Sequence, residues 1–124
     1  HYTLFQDYMQ KRHPEDFRGF RYLAADLQSD LETHSHMLEV RNKSGKLLAV
    51  TIFDAMDDAI ACISTFYDLE ESKKRSLGKF AILKLVESLK RDDPDPLHIY
   101  LGAWVRNSTK LDYKKNFHNL EMFN

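Results

Sequence analysis

Two stretches in the second half of the chain carry side chains able to hold an anion and to move a proton. The first runs from Thr65-Phe66-Tyr67-Asp68 through Ser76-Leu77-Gly78-Lys79-Phe80, the second from Tyr100-Leu101-Gly102-Ala103-Trp104 to Lys110-Leu111-Asp112-Tyr113-Lys114. Asp68 and Tyr113 are groups that exchange protons. Lys73, Lys74, Arg75 and Lys79 crowd the expected start of a helix at Ser76, where the helix dipole disfavours positive charge. An anion held there would relieve the repulsion, and Gly78 would admit it to the backbone N–H groups of the first turn. The competing reading is a solvated surface balanced by Glu70 and Glu71. Arg12-His13-Pro14 offers donors for a carboxylate, or is a plain helix stop. Both readings stand on sequence.

Other chemistries find no support. No Ser-His-Asp order or nucleophile elbow is present, and no metal site is expected, because His34 and His36 lack a partner Cys or a second His pair. The single cysteine, Cys62, has apolar flanks that suggest a buried thiol, which fits a reducing, cytoplasmic compartment.

The elements that must position these residues follow from hydrophobic periodicity. Leu4, Phe5, Tyr8 and Met9 predict a first helix stopped by Pro14, and Phe17, Phe20, Ala24, Leu27 and Leu31 a second. Met37 to Arg41 alternates as a strand, Asn42-Lys43-Ser44-Gly45 is a hairpin turn, and Leu47 to Phe53 reads as a strand covered on both faces. Asp57-Asp58 turns the chain into a strand from Ala59 to Tyr67. Ser76 is the expected N-cap of a helix reaching about Lys90, with Leu77, Ala81, Leu85, Val86 and Leu89 inward. Leu97 to Val105 is expected as a strand, Lys110 to Lys115 as a short helix, and Leu120 to Phe123 as a last strand.

In the strand from Leu97, the residues His98, Tyr100, Gly102 and Trp104 share one face. Packing beneath helices suits His98 and Trp104, whereas Tyr100 with Gly102 suits a site. Each opening stretch is thus a strand that empties into a helix, and ligands in open α/β sheets bind beyond such strand ends. The order α, α, β, β, β, α, β, α, β is that of the acetyltransferase-like (GNAT) fold, a mixed sheet flanked by helices. Acetyl-CoA enzymes of that fold keep a small residue where Phe80 stands, so weak coenzyme A binding is expected.

Composition bounds the rest. With 124 residues, 43% apolar and 12% aromatic, the chain has material for one domain with a real core. Its net charge of −1 argues against broad coating of nucleic acid. The first forty residues carry four basic and seven acidic side chains, the remainder fourteen and twelve, so polyanion contact is expected only in the second half. No apolar run is long enough for a membrane span. The chain opens on His1, as a piece of a longer protein would.

Taken together, Leu4-Phe5-Gln6-Asp7-Tyr8-Met9-Gln10-Lys11-Arg12-His13-Pro14, Thr65-Phe66-Tyr67-Asp68, Ser76-Leu77-Gly78, Tyr100-Leu101-Gly102, Trp104-Val105 and Lys110-Leu111-Asp112-Tyr113-Lys114 resemble the C-terminal domain of arginyl-tRNA–protein transferases and their bacterial relatives, the aspartate/glutamate leucyltransferases. The resemblance covers nearly the whole chain, read as one domain without the family's cysteine-rich N-terminal domain. It implies acyl transfer from aminoacyl-tRNA, the co-substrate, to the α-amine of proteins beginning with Asp or Glu, with no further cofactor.

Asp68, Tyr113 and Tyr100 are then the expected catalytic residues: Asp68 orients the amine or accepts its proton, and Tyr113 donates to the departing ribose oxygen. Arg12, His13, Tyr67, Gly102, Trp104 and Lys110 are expected to bind substrate. Lys73, Lys74, Arg75, Ser76, Gly78, Lys79 and Lys114 are expected to meet tRNA phosphates. Two other readings remain: a small-molecule N-acyltransferase using acetyl-CoA with Tyr113 as general acid, and a non-catalytic module that binds acidic N-termini.

Overall fold

A computed structural model of the chain describes residues 1–12, 14, 35–92, 98–102 and 106–121. The expected helix over Phe17 to Leu31 lies outside the described residues, as do His13, Trp104 and the end of the expected last strand; Leu120 and Glu121 are not in a strand. Helix α1 (Tyr2–Arg12) is followed by β1 (Ser35–Arg41), β2 (Leu47–Ala55) and β3 (Ala59–Tyr67). Next come α2 (Leu69–Arg75), α3 (Leu77–Asp92), the short β4 (His98–Tyr100) and a 3-10 turn, Asp112–Asn116.

The strands form one sheet in the order β1-β2-β3-β4, antiparallel until the last pair, where β4 runs parallel to β3. The hairpin between β1 and β2 lies where Asn42-Lys43-Ser44-Gly45 predicts it. The Asn42 side chain accepts from the N–H groups of Ser44 at 3.0 Å and Lys46 at 2.9 Å, and Gly45 supplies a φ of +87°. In β2, Leu48 to Ile52 are all buried, as a strand covered on both faces requires. On one face Phe5 of α1 packs with Val50, Ile52 and Phe66, its ring edge-on to Phe66 at 5.1 Å. On the other, Leu77 and Ala81 of α3 pack with Ala49. This mixed sheet flanked by helices is consistent with the acetyltransferase-like architecture expected from the element order.

Three departures shape the functional end. Ser76 does not open a helix by the usual extended N-cap; it takes the left-handed φ of 46° and closes α2, its N–H reaching Ser72 O. The cause is that residues 69–75 form a helix of their own. Asp68 caps it, Glu70 and Glu71 sit in its first turn, and Lys73, Lys74 and Arg75 sit in its last, all favourable to its dipole. Second, the pairing of Ile52 with Ser64 and of Phe53 with Cys62 leaves Ile63 as a bulge, which bends β3. Third, β4 pairs with β3 only through Ala59–His98, Ile60–Ile99 and Ala61–Tyr100 among the described residues. Gly102, the last described residue of this segment, takes a φ of +75°. Among the described residues the rest of β3, from Cys62 to Tyr67, runs on beside a gap.

Candidate functional site: a cleft beside the free end of β3

The gap is a cleft of about 360 Å³. Tyr8 and Arg12 of α1 form one wall, and Ser76, Gly78, Lys79 and Ile82 another. Cys62 to Thr65 and Tyr67 of β3 contribute the floor, Ser72 of α2 an edge, and Leu101, Thr109 to Leu111, Tyr113 and Lys114 the far side. The two opening stretches of sequence therefore do meet.

Tyr67 stands at the centre. Its ring meets Tyr8 edge-on at 4.9 Å and presses against the first turn of α3. A Cβ on Gly78 would lie 2.9 Å from the Tyr67 ring, closer than such atoms approach, so the glycine makes room for this ring. Its openness thus has a packing cause besides any ligand. Burial raises the Tyr8 phenol well above its ordinary range, with Tyr67 adding to the shift. Burial also raises Tyr113, whose ring rests edge-on to Phe117. At neutral pH these two phenols keep their protons and act as hydrogen-bond donors. Tyr8 was legible in the sequence only as a packing residue; its place in the cleft follows from where α1 lies on the sheet.

Lys114 is buried, although lysines seldom are. Its Nζ donates to Leu101 O at 2.6 Å and so ties the 3-10 turn to the end of β4. Desolvation lowers its pKa. The same burial lifts the Cys62 thiol to about 11, against a smaller opposing pull from Lys114, so this cysteine is a thiol and no nucleophile at neutral pH. Arg12, Lys79 and Lys110 line the more exposed mouth.

Several expected site residues stand elsewhere. Asp68 is absent from the lining: its carboxylate accepts from the N–H groups of Glu70 at 3.0 Å and Glu71 at 3.1 Å and pairs with Lys46 at 2.8 Å. The Lys46 bond, aided by the two N–H groups, holds the Asp68 carboxyl below the usual range. Tyr100 is 46% exposed and also outside the cleft, because strand alternation gives the inward place to Leu101. Lys73, Lys74 and Arg75 pair with Glu70 or Glu71 on the exposed surface of α2. Phe80 lines a separate groove beside Leu38 and Lys84, so the crowding expected of it does not reach the cleft. Gly102 turns the chain above Lys114, whose Nζ would lie 3.8 Å from a Cβ there. Among the described residues no group of three His, Cys, Asp or Glu could hold a metal ion, and no helix is long and apolar enough to cross a membrane.

A mixed four-stranded sheet flanked by helices, with a cleft of phenols and cations beside β3, is an α/β domain consistent with the acetyltransferase-like fold. The chain belongs to the family described as "Arginine-tRNA-protein transferase, C terminus", which it matches over residues 1–124. It is 37% identical to an aspartate/glutamate leucyltransferase of Acinetobacter baylyi, over 98% of this chain and 44% of that one. It is 36% identical to that of Nitrosococcus oceani, over 99% and 51%, and 32% identical to that of Rhodospirillum rubrum, over 98% and 50%. The chain spans about half the length of the curated relatives it matches. Among solved structures, the tetramutant of BH1408 from Bacillus halodurans is similar in fold, with a TM-score of 0.50 and 10% identity over 100% of this chain and 86% of that one.

Proposed function

We propose that this domain transfers an amino acid from tRNA to the α-amine of an acceptor protein. One observation carries the reading: the family match spans the entire chain, and so includes every wall of the cleft. The names of the relatives favour leucine as the amino acid transferred and an acceptor that begins with Asp or Glu. The product is a protein one residue longer, marked for degradation through an N-degron in the cytoplasm. The same match favours aminoacyl-tRNA over acetyl-CoA as the donor.

The reaction is ester aminolysis. An amine with a pKa near about 8 must be neutral, a tetrahedral oxyanion must be stabilised, and the ribose oxygen must gain a proton as it leaves. The cleft offers parts for these needs. Tyr113 supplies the proton to the ribose oxygen, and Tyr67 and Tyr8 are the phenols facing the developing oxyanion. Arg12 holds the acidic side chain of the acceptor in a two-pronged bond. Lys79 and Lys110 at the mouth hold phosphates of the tRNA 3′ end. For His13 and Trp104, which lie outside the described residues, a substrate-binding role rests on the resemblance alone. Asp68 acts by position, through the helix it caps and the strand end it ties down.

The test is to incubate the protein with radiolabelled leucyl-tRNA or arginyl-tRNA and peptides beginning with Asp, Glu or Ala. Label from leucyl-tRNA on the Asp and Glu peptides, and little on the Ala peptide, is the expected result. No transfer from any tRNA, with acetylation from acetyl-CoA in its place, would overturn the proposal.

A further inference from the structure

The cleft has two ends of different character. At one, Tyr67 and Tyr8 meet beside Gly78, and Arg12 stands one turn beyond Tyr8 on α1. The other lies where β3 and β4 part. Their parallel register runs Ala59–His98, Ile60–Ile99, Ala61–Tyr100, so the next residues of the two strands are Cys62 and Leu101. Side chains alternate along each strand, and accordingly Cys62 and Leu101 line the cleft while Ala61 and Tyr100 do not. Ile82, one turn beyond Gly78 on α3, adds an apolar side chain that is only 4% exposed. Lys114 lays its methylene stem along this end as its Nζ reaches Leu101 O at 2.6 Å.

The Cys62–Leu101 end is poor in water. Desolvation is the largest influence on both Cys62, whose thiol it raises to about 11, and Lys114, whose pKa it lowers. Tyr113 is close enough to both Tyr67 and Cys62 to be influenced by each, which sets it between the two ends. The span of β3 from Cys62 to Tyr67 is roughly 16 Å, at about 3.3 Å per residue.

We infer that the end of the cleft formed by Cys62, Leu101 and Ile82 is the pocket for the side chain of the donor amino acid, and that these residues select an aliphatic one. On the aminoacyl-transfer reading above, on which this rests, the scissile ester lies beside Tyr113. From there the donor side chain has two directions. Toward Tyr67 it would meet phenol hydroxyls and the Arg12 guanidinium, where the acidic end of the acceptor is held. Toward Cys62 it meets apolar carbon and a neutral thiol, where burial of an aliphatic chain is favourable. Leucine suits that surroundings; a shorter chain leaves part of the wall without contact.

The experiment is a competition. tRNAs charged with leucine, alanine, phenylalanine and arginine are supplied together with a peptide that begins with Asp, and mass spectrometry reads the residue added. The unaltered protein should add leucine over alanine by about tenfold or more, the discrimination that methylenes in an apolar pocket provide. Leu101→Ala enlarges the pocket and should raise the ratio of phenylalanine to leucine by about tenfold. Cys62→Met fills it and should shift the product from leucine toward alanine by a similar factor. Product ratios do not depend on how much of a variant is folded. Unchanged ratios in both variants would overturn the inference, as would arginine as the main product of the unaltered protein.

A second measurement needs no substitution. Cys62 is the single cysteine of the chain, so its alkylation by a maleimide reports on this end alone. A tRNA that carries leucine through an amide, and so cannot transfer it, should slow the alkylation several-fold more than uncharged tRNA does. Equal rates with the two would overturn the inference. Absence of transfer of any amino acid by the unaltered protein would instead overturn the parent reading.

Discussion

The cations of α2 and those of the cleft are the same residue types, and Lys79 lies only a few residues beyond Arg75, yet their surroundings differ. Lys73, Lys74 and Arg75 have Glu70 or Glu71 three or four residues away on their own helix and stand at its negative end. They are neutralised locally by covalent spacing alone. Lys79, Lys110 and Lys114 come from separate segments and converge on one cavity, where none of the described lining residues is acidic. Among the described residues the run in α2 is matched by glutamates of its own helix, whereas the cleft cations are brought together only by the fold.

The sharpest way to break this contrast is to remove the buried member. Lys114→Met leaves the Leu101 carbonyl without its donor, and the loss of such a bond should cost about 1–3 kcal/mol in chemical denaturation. Turnover should fall by more than tenfold. If both quantities stayed near wild type, Lys114 would rank with the surface lysines. Next in size is Gly78→Ala. Its Cβ would meet the Tyr67 ring at 2.9 Å, and we expect about 1–3 kcal/mol of destabilisation with a fall in turnover, measured by thermal melts and transfer assays. Tyr67→Ala in the same chain should recover much of the stability and none of the activity.

Asp68→Ala should cost about 1 kcal/mol, the usual worth of an N-cap. The linkage has a definite sign. Its folded-state pKa is depressed, so its contribution is complete above the ordinary Asp range near about pH 4 and is lost as pH falls through the lower folded value. Wild type and Asp68→Asn should therefore converge in stability below that range, by urea titration. A fall in turnover far beyond the stability loss would give Asp68 a part in the chemistry. The smallest effect belongs to α2. Lys73→Ala with Lys74→Ala should change stability by less than about 1 kcal/mol, because both pairs are exposed. The slope of tRNA affinity against salt should stay the same, whereas Lys79→Ala with Lys110→Ala should flatten it. Equal flattening by the two pairs would erase the distinction between the regions.

Much of the frame was legible because its signals are local. The spacing of Phe5, Tyr8 and Met9, the Asn42–Gly45 turn, the apolar run from Leu47 and the inner face of α3 each follow from backbone geometry and burial within one element. The helix at Leu69–Arg75 was harder to read, since an acidic turn followed by a basic one resembles a solvated linker until Asp68 is recognised as its cap. Short pieces such as the Asp112–Asn116 turn carry too few residues to show a period.

The sequence by itself determined the family and the two motif stretches that meet at the cleft. Only the tertiary structure decided which candidates share a space. Strand alternation and the turn at Gly102 give Leu101 an inward place and leave Tyr100 outside, and a cap draws Asp68 away. Packing of α1 against the sheet brings Tyr8 onto Tyr67. Burial and charge are properties of three-dimensional neighbourhood, and no spacing along the chain announces that Lys114 will lie in a water-poor wall beneath Leu101. Side-chain types were written in the chain; the neighbours that each one meets were not.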